Sequence, residues 1–537
     1  MPYEFACGRN SEFIARYILE DLGLLAFIMR RLGTLGVILF GSSFLLYNLA
    51  ALSGDPLGEL RVSQDPRAKQ IIISLTRELQ LDIPPPIRYF LWLRGVLGLF
   101  VGNLDLGNTR SGESVATAIA SAVPTTVRLV FTASILAMVL GISIGIITAL
   151  RQYSKFDYAM TFVSFLLFSL PIFWVAVLLK QFMAIEFNNW LSAPTISLKA
   201  LIAIGVVLSL IVSSVAGATG KKNYTIFGSV FAGTVVTLWT LQKINWFLEP
   251  GLGPIVFFIA CVGISYGVTQ LSVGIANKTA LKSSLSMAVA GLILYYPTRK
   301  AFTFDKQGLI VVAMAILTIT LAVIAALIMA KIDKAAIVRT TVIAAFMMGL
   351  VRLLDQLMYT WPRFISTDAI NYRPVPTVGQ ANSLLEPGDY WISTLDLLMH
   401  LILPTIALTA ISFAGYIRFA RGTMLEVLNQ DYIRTARAKG LSERTVIMRH
   451  AFRNTLIPLS TIIVVDFAGI IGGAIITERV FGWKGMGTLF NAAINSFDLN
   501  LLMGVFFLTG TLALTANLVA DLLYSALDPR IRTGSGA

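Results

Sequence analysis

Long apolar runs separated by short polar turns dominate the chain. The runs are continuous and do not alternate every second residue, which predicts membrane-spanning α-helices rather than barrel strands. Several exceed the ~18 apolar residues that a bilayer span needs. Six spans are expected at about 32–52, 127–150, 158–183, 395–415, 457–477 and 501–525. Six more are expected within residues 199–358, near 199–219, 223–241, 255–275, 281–297, 308–330 and 335–358.

The predicted fold is therefore an all-α polytopic membrane protein with twelve spans. Its expected segments are a tail at 1–31, three spans within 32–183 that enclose an external segment at 53–125, an inserted hydrophobic block at 187–365, and three spans within 374–532. The fourth span of the inserted block is the weakest prediction. Its start is polar, with Lys282, Ser283, Ser284 and Ser286.

Composition supports this fold class. The 537 residues are 56% hydrophobic and only 13% charged, whereas soluble domains carry about 25% charged residues. The net charge of +13 comes from Lys and Arg that gather in short loops, as the positive-inside rule predicts. No soluble basic domain is present to bind nucleic acid. Arg30-Arg31 before the first span, and Arg530 with Arg532 in the tail, place both termini in the cytoplasm.

The loop at 416–457 is the main polar feature in the last third of the chain. It carries eight basic residues, Arg418, Arg421, Arg434, Arg437, Lys439, Arg444, Arg449 and Arg453, against the three acids Glu426, Asp431 and Glu443. The pattern predicts one helix that runs to Lys439 and stops at Gly440, where a left-handed cap is needed. Ser442 is then the expected N-cap of a second helix. Residue chemistry alone leaves two interpretations: a docking helix for a partner protein, or a basic amphipathic helix on anionic lipid.

Several stretches in and around this loop resemble those of a known family. Leu425-Glu-Val-Leu-Asn-Gln-Asp-Tyr-Ile-Arg-Thr-Ala-Arg-Ala-Lys-Gly-Leu441 is similar to the coupling motif of ABC importer permeases, in their dipeptide/oligopeptide/nickel branch. Further similar stretches are Arg449–Pro458, Gly472–Gly487, Asn517–Arg532, Gly54–Pro56, Leu79–Asp82 and Asn103–Gly107. The resemblance covers about 30–183 and 374–532, and it does not cover 187–365.

The resemblance implies a six-span ABC importer permease core with about six additional inserted transmembrane helices. It also implies a prokaryotic plasma (inner) membrane, a second homologous permease, two ABC ATPase subunits and an extracytoplasmic substrate-binding protein. The residues that would couple to the ATPases are Asp431, Tyr432, Arg434, Thr435, Ala436, Arg437, Ala438, Lys439, Gly440 and Leu441. Where the general importer motif has Glu-Ala-Ala, this chain has Arg434-Thr-Ala436, so an acid-mediated contact there is not expected.

The chain lacks the residues for ATP hydrolysis or metal binding of its own. No Gly-x-x-x-x-Gly-Lys-Ser/Thr phosphate loop occurs, so ATP and Mg²⁺ are expected on the partner subunits and no cofactor on this chain. The two histidines, His400 and His450, cannot form a metal site alone, and His400 is expected to pack in a span. Cys7 and Cys261 indicate no disulfide framework.

A few polar residues lie inside the predicted spans. Asp466 is in the middle of one, where a carboxylate costs ~2.5–3.5 kcal/mol on insertion scales. It either lines the translocation path or pairs with a polar group on another helix. Arg352 and Asp355 are three residues apart and are expected to pair on one helix face. Three tryptophans fall at predicted external interfaces, namely Trp361, Trp391 and Trp483, and this placement is typical of an aromatic belt.

The function predicted from these features is the permease subunit of an ATP-driven importer of di- or oligopeptides, with nickel chelates as another substrate of the same family. The alternative is a secondary transporter driven by an ion gradient, although such proteins tend to carry several intramembrane acids and matched halves. A non-transporting membrane scaffold is a third class. The inserted block is expected to be peripheral helices, with sensing or partner docking as the alternative.

Overall fold

A computed structural model describes residues 7–217, 220–386, 388–469 and 474–527. These residues are mostly α-helical and contain no β-strand, which confirms the predicted all-α class. They form two compact units, one made of the residues up to Leu179 and from Leu401 onward, and one made of residues 180–400.

The first unit contains most of the two segments expected at 32–183 and 374–532, whereas residues 180–183 and 374–400 fall in the second unit. Its helices before the inserted block are Cys7–Ser53, Gly58–Arg61, Ala68–Glu78, Pro85–Leu97, Val115–Leu150, Lys155–Ser169 and Ile172–Leu179, with a 3-10 turn at Gly98–Val101. Its later helices are Asp431–Ala438, Glu443–Thr445, Phe452–Gly469, Ile475–Phe481, Met486–Asn495 and Leu499–Leu527, with a π-helical turn at Val446–Ala451. The long helix Tyr390–Leu428 precedes them.

The second unit is a set of apolar helices with short connections. Its elements are a π-helical turn at Lys180–Glu186 and the helices Phe187–Leu191, Leu198–Ala216, Lys221–Lys243, Gly253–Ser272, Lys278–Ile293, Tyr295–Ala301, Gln307–Met329 and Lys334–Ile365. Its largest buried cluster brings together Phe257, Cys261, Met287, Tyr295 and Met348.

Among the described residues, nine helices are long and apolar enough to cross a membrane, and ten if one bent pair counts as a single span. The bent pair is Lys155–Ser169 with the helix that starts at Ile172, and the angle is 101°. Pro171 explains the break, because the residue before a proline is pushed out of the helical region, and Leu170 is extended. Of the other two predicted spans, the one at 281–297 falls on the shorter helix Lys278–Ile293. The one at 457–477 begins in the helix Phe452–Gly469, and its residues 470–473 lie outside the described part of the chain.

The expected external segment at 53–125 is partly helical and packed. Tyr89 and Trp92 of the helix Pro85–Leu97 are buried beside Tyr47 and Met503. The next helix begins at Val115, before the predicted start of its span at about 127, and it passes through Pro124. The segment is therefore anchored to the first and last long helices of its unit.

Two of the three tryptophans expected in an aromatic belt are instead buried. Trp391 is 5% exposed, and its indole N–H donates to the Phe302 carbonyl at 3.0 Å. Trp483 is only 1% exposed. Trp361 is partly buried in a cluster around Phe364. The prediction of an aromatic belt is therefore wrong for Trp391 and Trp483. The sequence pattern predicted these rings at the lipid interface, whereas in the structure they are buried by packing inside a unit.

Candidate functional site

The helix Asp431–Ala438 in the loop at 416–457 ends as its sequence predicts. Gly440 has a φ of +73°, which favours glycine because it lacks a Cβ. Its amide donates to the Arg437 carbonyl at 2.9 Å, and the amide of Leu441 donates to the Ala436 carbonyl at 3.4 Å. These two bonds are those of a Schellman cap, which satisfies the last carbonyls of the helix.

One face of this helix is anchored in the protein. Ile433 is fully buried and Ala436 is 6% exposed, and both belong to a cluster that includes Met424, Val446 and Ala149. Beside this face lies Tyr432, which is 43% exposed, and the residue after the cap, Leu441, is 41% exposed. The helix thus has a fixed inner face and an outer face with apolar groups available for contact.

The turn after the helix is held by charge and by a side-chain cap. The guanidinium of Arg437 donates to both carboxylate oxygens of Glu443, at 2.7 and 3.2 Å. This pairing lowers the pKa of Glu443. Ser442 caps the next turn by accepting from the amide of Thr445 at 3.4 Å, which confirms the predicted N-cap. After Glu443–Thr445 the second helix continues as a π-helical turn at Val446–Ala451, which the sequence pattern did not predict.

A second ion pair, which was not singled out from the sequence, connects this part of the chain to an earlier turn. Arg421 donates to both oxygens of Asp157, at 2.8 and 3.0 Å. Asp157 is 2% exposed and also accepts from the amide of Tyr153 at 3.0 Å. The sequence pattern that could have revealed Asp157 is Ser154-x-x-Asp157, which is typical of a helix N-terminus. In the structure, Ser154 accepts from the Asp157 amide at 3.2 Å. A bidentate pair of this kind fixes both direction and distance.

Asp466, the residue predicted to line a path or to pair, has a partner on another helix. The hydroxyl of Tyr416 donates to Asp466 Oδ2 at 2.5 Å. Tyr416 is buried, whereas Asp466 is exposed. The carboxylate therefore pairs with a polar group on another helix, which is one of the two interpretations, and its place in a translocation path stays a prediction.

Two glycines bring the helix Val115–Leu150 close to the helix that carries Tyr416. A Cβ on Gly141 would lie 2.5 Å from the Tyr416 Cβ, and one on Gly145 would lie 2.8 Å from the Ala420 Cβ. The Gly-x-x-x-Gly spacing is typical of membrane helices in close backbone contact. This contact fixes the position of Tyr416, the hydrogen-bond partner of Asp466.

A buried acid and a threonine form a further contact that the sequence did not reveal. Glu478 is fully buried, and it accepts from the Thr126 hydroxyl at 2.7 Å and from the Thr488 amide at 2.9 Å. Thr126 Oγ1 in turn accepts from the Met486 amide at 2.7 Å. The network connects the helix Val115–Leu150 to the turn between Ile475–Phe481 and Met486–Asn495.

The other polar residues that the sequence singled out make contacts within the protein. His400 is 7% exposed, and its Nδ1 lies 2.8 Å from the Asp396 carbonyl oxygen. Arg352 and Asp355 pair as predicted, with 3.2 Å between Nη1 and Oδ2. Within the described part of the chain, no group of three or more His, Cys, Asp or Glu residues is arranged to hold a metal ion.

Part of the chain is similar in sequence to a known protein family. Residues 337–533 match the family described as the binding-protein-dependent transport system inner membrane component. The match includes the expected segment 374–532 and starts within the helix Lys334–Ile365. It contains the loop helix, Asp466 and Glu478.

Individual relatives agree with the family match. The chain is 43% identical over 145 residues to the oligopeptide transport system permease protein OppB of Mycobacterium tuberculosis, a stretch covering 27% of this chain and 45% of that protein. It is 44% identical over 147 residues to the dipeptide transport system permease protein DppB of Escherichia coli, covering 27% and 42%. For the oligopeptide permease AppB of Bacillus subtilis the identity is 43% over 136 residues, covering 25% and 43%. The chain spans less than half the length of each of these relatives.

Proposed function

We propose that this chain, whose residues 337–533 match the family described as the binding-protein-dependent transport system inner membrane component, is the permease subunit of an ATP-driven peptide importer. The observation that supports this most is the loop helix Asp431–Ala438 within the matched region. Its inner face is buried and its outer face is exposed. Di- and oligopeptides are the proposed substrates, because the similar permeases are named for them.

In the proposed mechanism, the loop helix receives movement from an ATPase subunit. A helix can transmit displacement only when it is fixed to the element that it moves. Burial of Ile433 and Ala436 attaches the helix to the permease. The Arg437–Glu443 pair stiffens the turn that follows the helix. The Arg421–Asp157 pair connects this part of the chain to the preceding membrane helices. ATP binding and hydrolysis on the partner would bias two states of the permease, and this is coupling between distant sites.

The proposed assembly contains a second homologous permease, two ABC ATPase subunits and an extracytoplasmic binding protein. ATP and Mg²⁺ would bind to the ATPase subunits, because this chain has no phosphate loop. We place the assembly in a prokaryotic inner membrane with both termini in the cytoplasm, which puts the loop at 416–457 on the ATPase side. The inserted block at 187–365 is proposed to be peripheral to transport.

This proposal is tested by purifying the full chain from its native membranes in mild detergent and reconstituting it in liposomes. We expect two ATPase chains with phosphate loops to co-purify, and uptake of labelled di- to oligopeptides to require ATP. Uptake that persists after the ATPase chains are stripped away, and that follows a proton or sodium gradient, would overturn the proposal in favour of a secondary transporter.

We further propose that Asp466 contacts cationic groups of the substrate in the translocation path. Replacing Asp466 with Asn should lower uptake of cationic peptides by about tenfold relative to neutral peptides, because one charge contact with the substrate is lost. The matched variant Tyr416→Phe removes the hydrogen bond to Asp466 but keeps the carboxylate, so the preference for cationic peptides should survive. Equal uptake of both peptide classes before and after Asp466→Asn would rule out this role.

A further inference from the structure

The first and last long helices of the first unit lie side by side across the membrane. At one end, Arg31 pairs with Asp521 at 3.0 Å. At the other end, a Cβ on Gly54 would overlap the ring of Phe497. On each helix the two contacts are about 35 Å apart along the axis, which is close to the ~30 Å hydrocarbon core of a bilayer. The two contacts therefore mark the two surfaces of the membrane.

The helix Pro85–Leu97 packs against the middle of the first of these spans. The hydroxyl of Tyr89 lies 2.8 Å from the Ser43 hydroxyl, and it donates to the Phe40 carbonyl at 3.4 Å. With about 1.5 Å of rise per residue, Phe40 and Ser43 are about 14 and 18 Å from Arg31 along the helix axis. The helix therefore lies at membrane depth, although the sequence predicts that this segment is external.

The same helix contacts the last span nearer to the end that Gly54 marks. The ring of Trp92 packs edge-on against the ring of Phe507, with 6.2 Å between centroids. Along its helix, Phe507 is about 21 Å from Asp521 and about 15 Å from Phe497. The helix thus occupies the leaflet on the Gly54 side. With both termini in the cytoplasm, as proposed above, this is the outer leaflet.

Both faces of the helix Pro85–Leu97 are apolar. The inner face is buried through Tyr89 and Trp92. The outer face is between 42% and 57% exposed at its four large apolar residues, which are Ile87, Phe90, Leu91 and Leu97. In the turn that follows, Phe100 and Val101 are 84% and 83% exposed. A helix in water has a polar outer face, whereas a helix that is apolar all round is typical of a membrane environment.

The outer face of this helix continues the exposed apolar surface of the first span. The ring of Phe90 lies 6.1 Å from the ring of Phe44, and Phe44 stacks on Phe40 at 6.5 Å. Phe40 is 46% exposed, and Leu45 on the same span is 62% exposed. These rings join the surface of the span to the surface of the helix. The acyl chains that cover the span therefore also reach the helix.

Arg94 is the one exposed charged residue of the helix Pro85–Leu97, all of which the structure describes. It lies three residues after Leu91 and three before Leu97, so it shares their face. Arginine can bury its aliphatic stem in an apolar layer while its guanidinium stays in a polar one. A lipid phosphate is an acceptor that suits a guanidinium. The charge on this face therefore also fits a lipid surface.

We propose that residues 85–101 form a re-entrant element that binds the lipid of the outer leaflet. Phe90, Leu91 and their apolar neighbours on the outer face contact acyl chains, and the guanidinium of Arg94 donates to lipid phosphate. The lipid-covered face is then closed to the binding protein and to the second permease. The inference does not depend on transport or on its substrate, and only the choice of leaflet rests on the orientation proposed above.

Spin labelling of the full chain tests this placement. Phe90→Cys and Leu91→Cys are each made in a background that carries Cys7→Ser and Cys261→Ser. The labelled chain is reconstituted in liposomes together with the chains that co-purify with it. Power saturation then measures how often each nitroxide collides with oxygen, which concentrates in hydrocarbon, and with a nickel chelate, which stays in water. We expect both labels to favour oxygen. The second position gives the same test if Phe90→Cys does not assemble.

Two control positions set the scale. Leu45→Cys, at an exposed position in the middle of the first span, reports on hydrocarbon. Ile73→Cys reports on water, because Ile73 is 65% exposed and shares its helix face with Gln70 and Arg77. The ratio of oxygen to nickel accessibility at Phe90→Cys should match that at Leu45→Cys and exceed that at Ile73→Cys.

Two results would overturn the proposal. A ratio at Phe90→Cys as low as that at Ile73→Cys would place the helix in water. A nitroxide shielded from both oxygen and nickel would show that another protein chain covers this face. The contact of Arg94 has its own test, in which Arg94→Gln should raise the ratio at Leu91→Cys because the helix loses its contact with the head groups. An unchanged ratio in that variant would contradict the contact with phosphate.

Discussion

Replacing Tyr432 with Ala should reduce ATP-driven uptake by at least about tenfold while leaving the chain folded. Tyr432 is on the exposed side of the loop helix, and its ring is 43% exposed. Exposed tyrosines at protein contacts often contribute ~2 kcal/mol or more, which is well over a tenfold change in binding. The inner face of the helix, built on Ile433 and Ala436, is not altered. The measurement is uptake of a labelled peptide by proteoliposomes that contain the complete complex.

Two controls separate a lost contact from a lost fold. Tyr432→Phe keeps the ring and should retain most of the uptake. Tyr224→Ala removes an equally large ring that is 78% exposed on a helix of the inserted block, and it should have little effect. Co-purification of the ATPase chains is measured for each variant. If Tyr432→Ala transports peptide as well as the unaltered chain does, the exposed face of this helix is not the contact that drives transport.

The end of the loop helix could be predicted from the sequence because its causes are local. A positive-φ position requires Gly440, and a polar side chain caps the turn at Ser442, both within a few residues of what they stabilise. The π-helical turn at Val446–Ala451 was not predicted. Val446 and Ala451 at its two ends are both buried, and contacts with residues distant in the sequence are not visible to a local pattern.

The weakest predicted span shows the limit of hydropathy. Ser283 and Ser284 make the start of the stretch at 281–297 polar, and for this reason it is the weakest of the predicted spans. In the structure both are fully buried in the helix Lys278–Ile293: Ser283 accepts from Thr341 at 2.9 Å, and Ser284 lies 3.2 Å from the Thr269 hydroxyl. Hydroxyls that bond across helices are a common means of packing in membranes. Polarity there reflects contact between helices, which a scan of one sequence cannot detect.

Contacts between distant parts of the chain were the least predictable. Tyr416 and Asp466 are 50 residues apart, and Thr126 and Glu478 are 352 residues apart. The sequence identified Asp466 because a lone acid in an apolar run is conspicuous. It gave no such signal for Glu478, whose surroundings in the chain are polar enough to suggest an exposed loop. Only the fold shows that Glu478 is buried with both of its oxygens occupied.

The Glu478 network leads to the largest expected effect on stability. Gly485 lies against it: a Cβ there would overlap Thr126 Oγ1 and would lie 2.5 Å from Glu478 Oε1. Gly485→Ala must therefore displace the hydrogen bonds among Thr126, Glu478 and Met486. Overpacking costs about 1–3 kcal/mol, and each buried polar group left unpaired costs about 1–3 kcal/mol more. We expect Tm in detergent to fall by about 2–5 °C.

The matched control is Gly422→Ala, because a Cβ on Gly422 meets nothing within 4 Å and alanine favours a helix. Its Tm should be unchanged or slightly higher. Glu478→Gln tests the hydrogen bonds without adding volume. Glu478 accepts one donor on each oxygen, whereas glutamine offers a single acceptor, so either Thr126 or the Thr488 amide loses its partner. That loss should lower stability by about 1–3 kcal/mol. If Gly485→Ala and Gly422→Ala melt at the same temperature, the turn has enough freedom to move away, and the network does not hold the helix Val115–Leu150 in place.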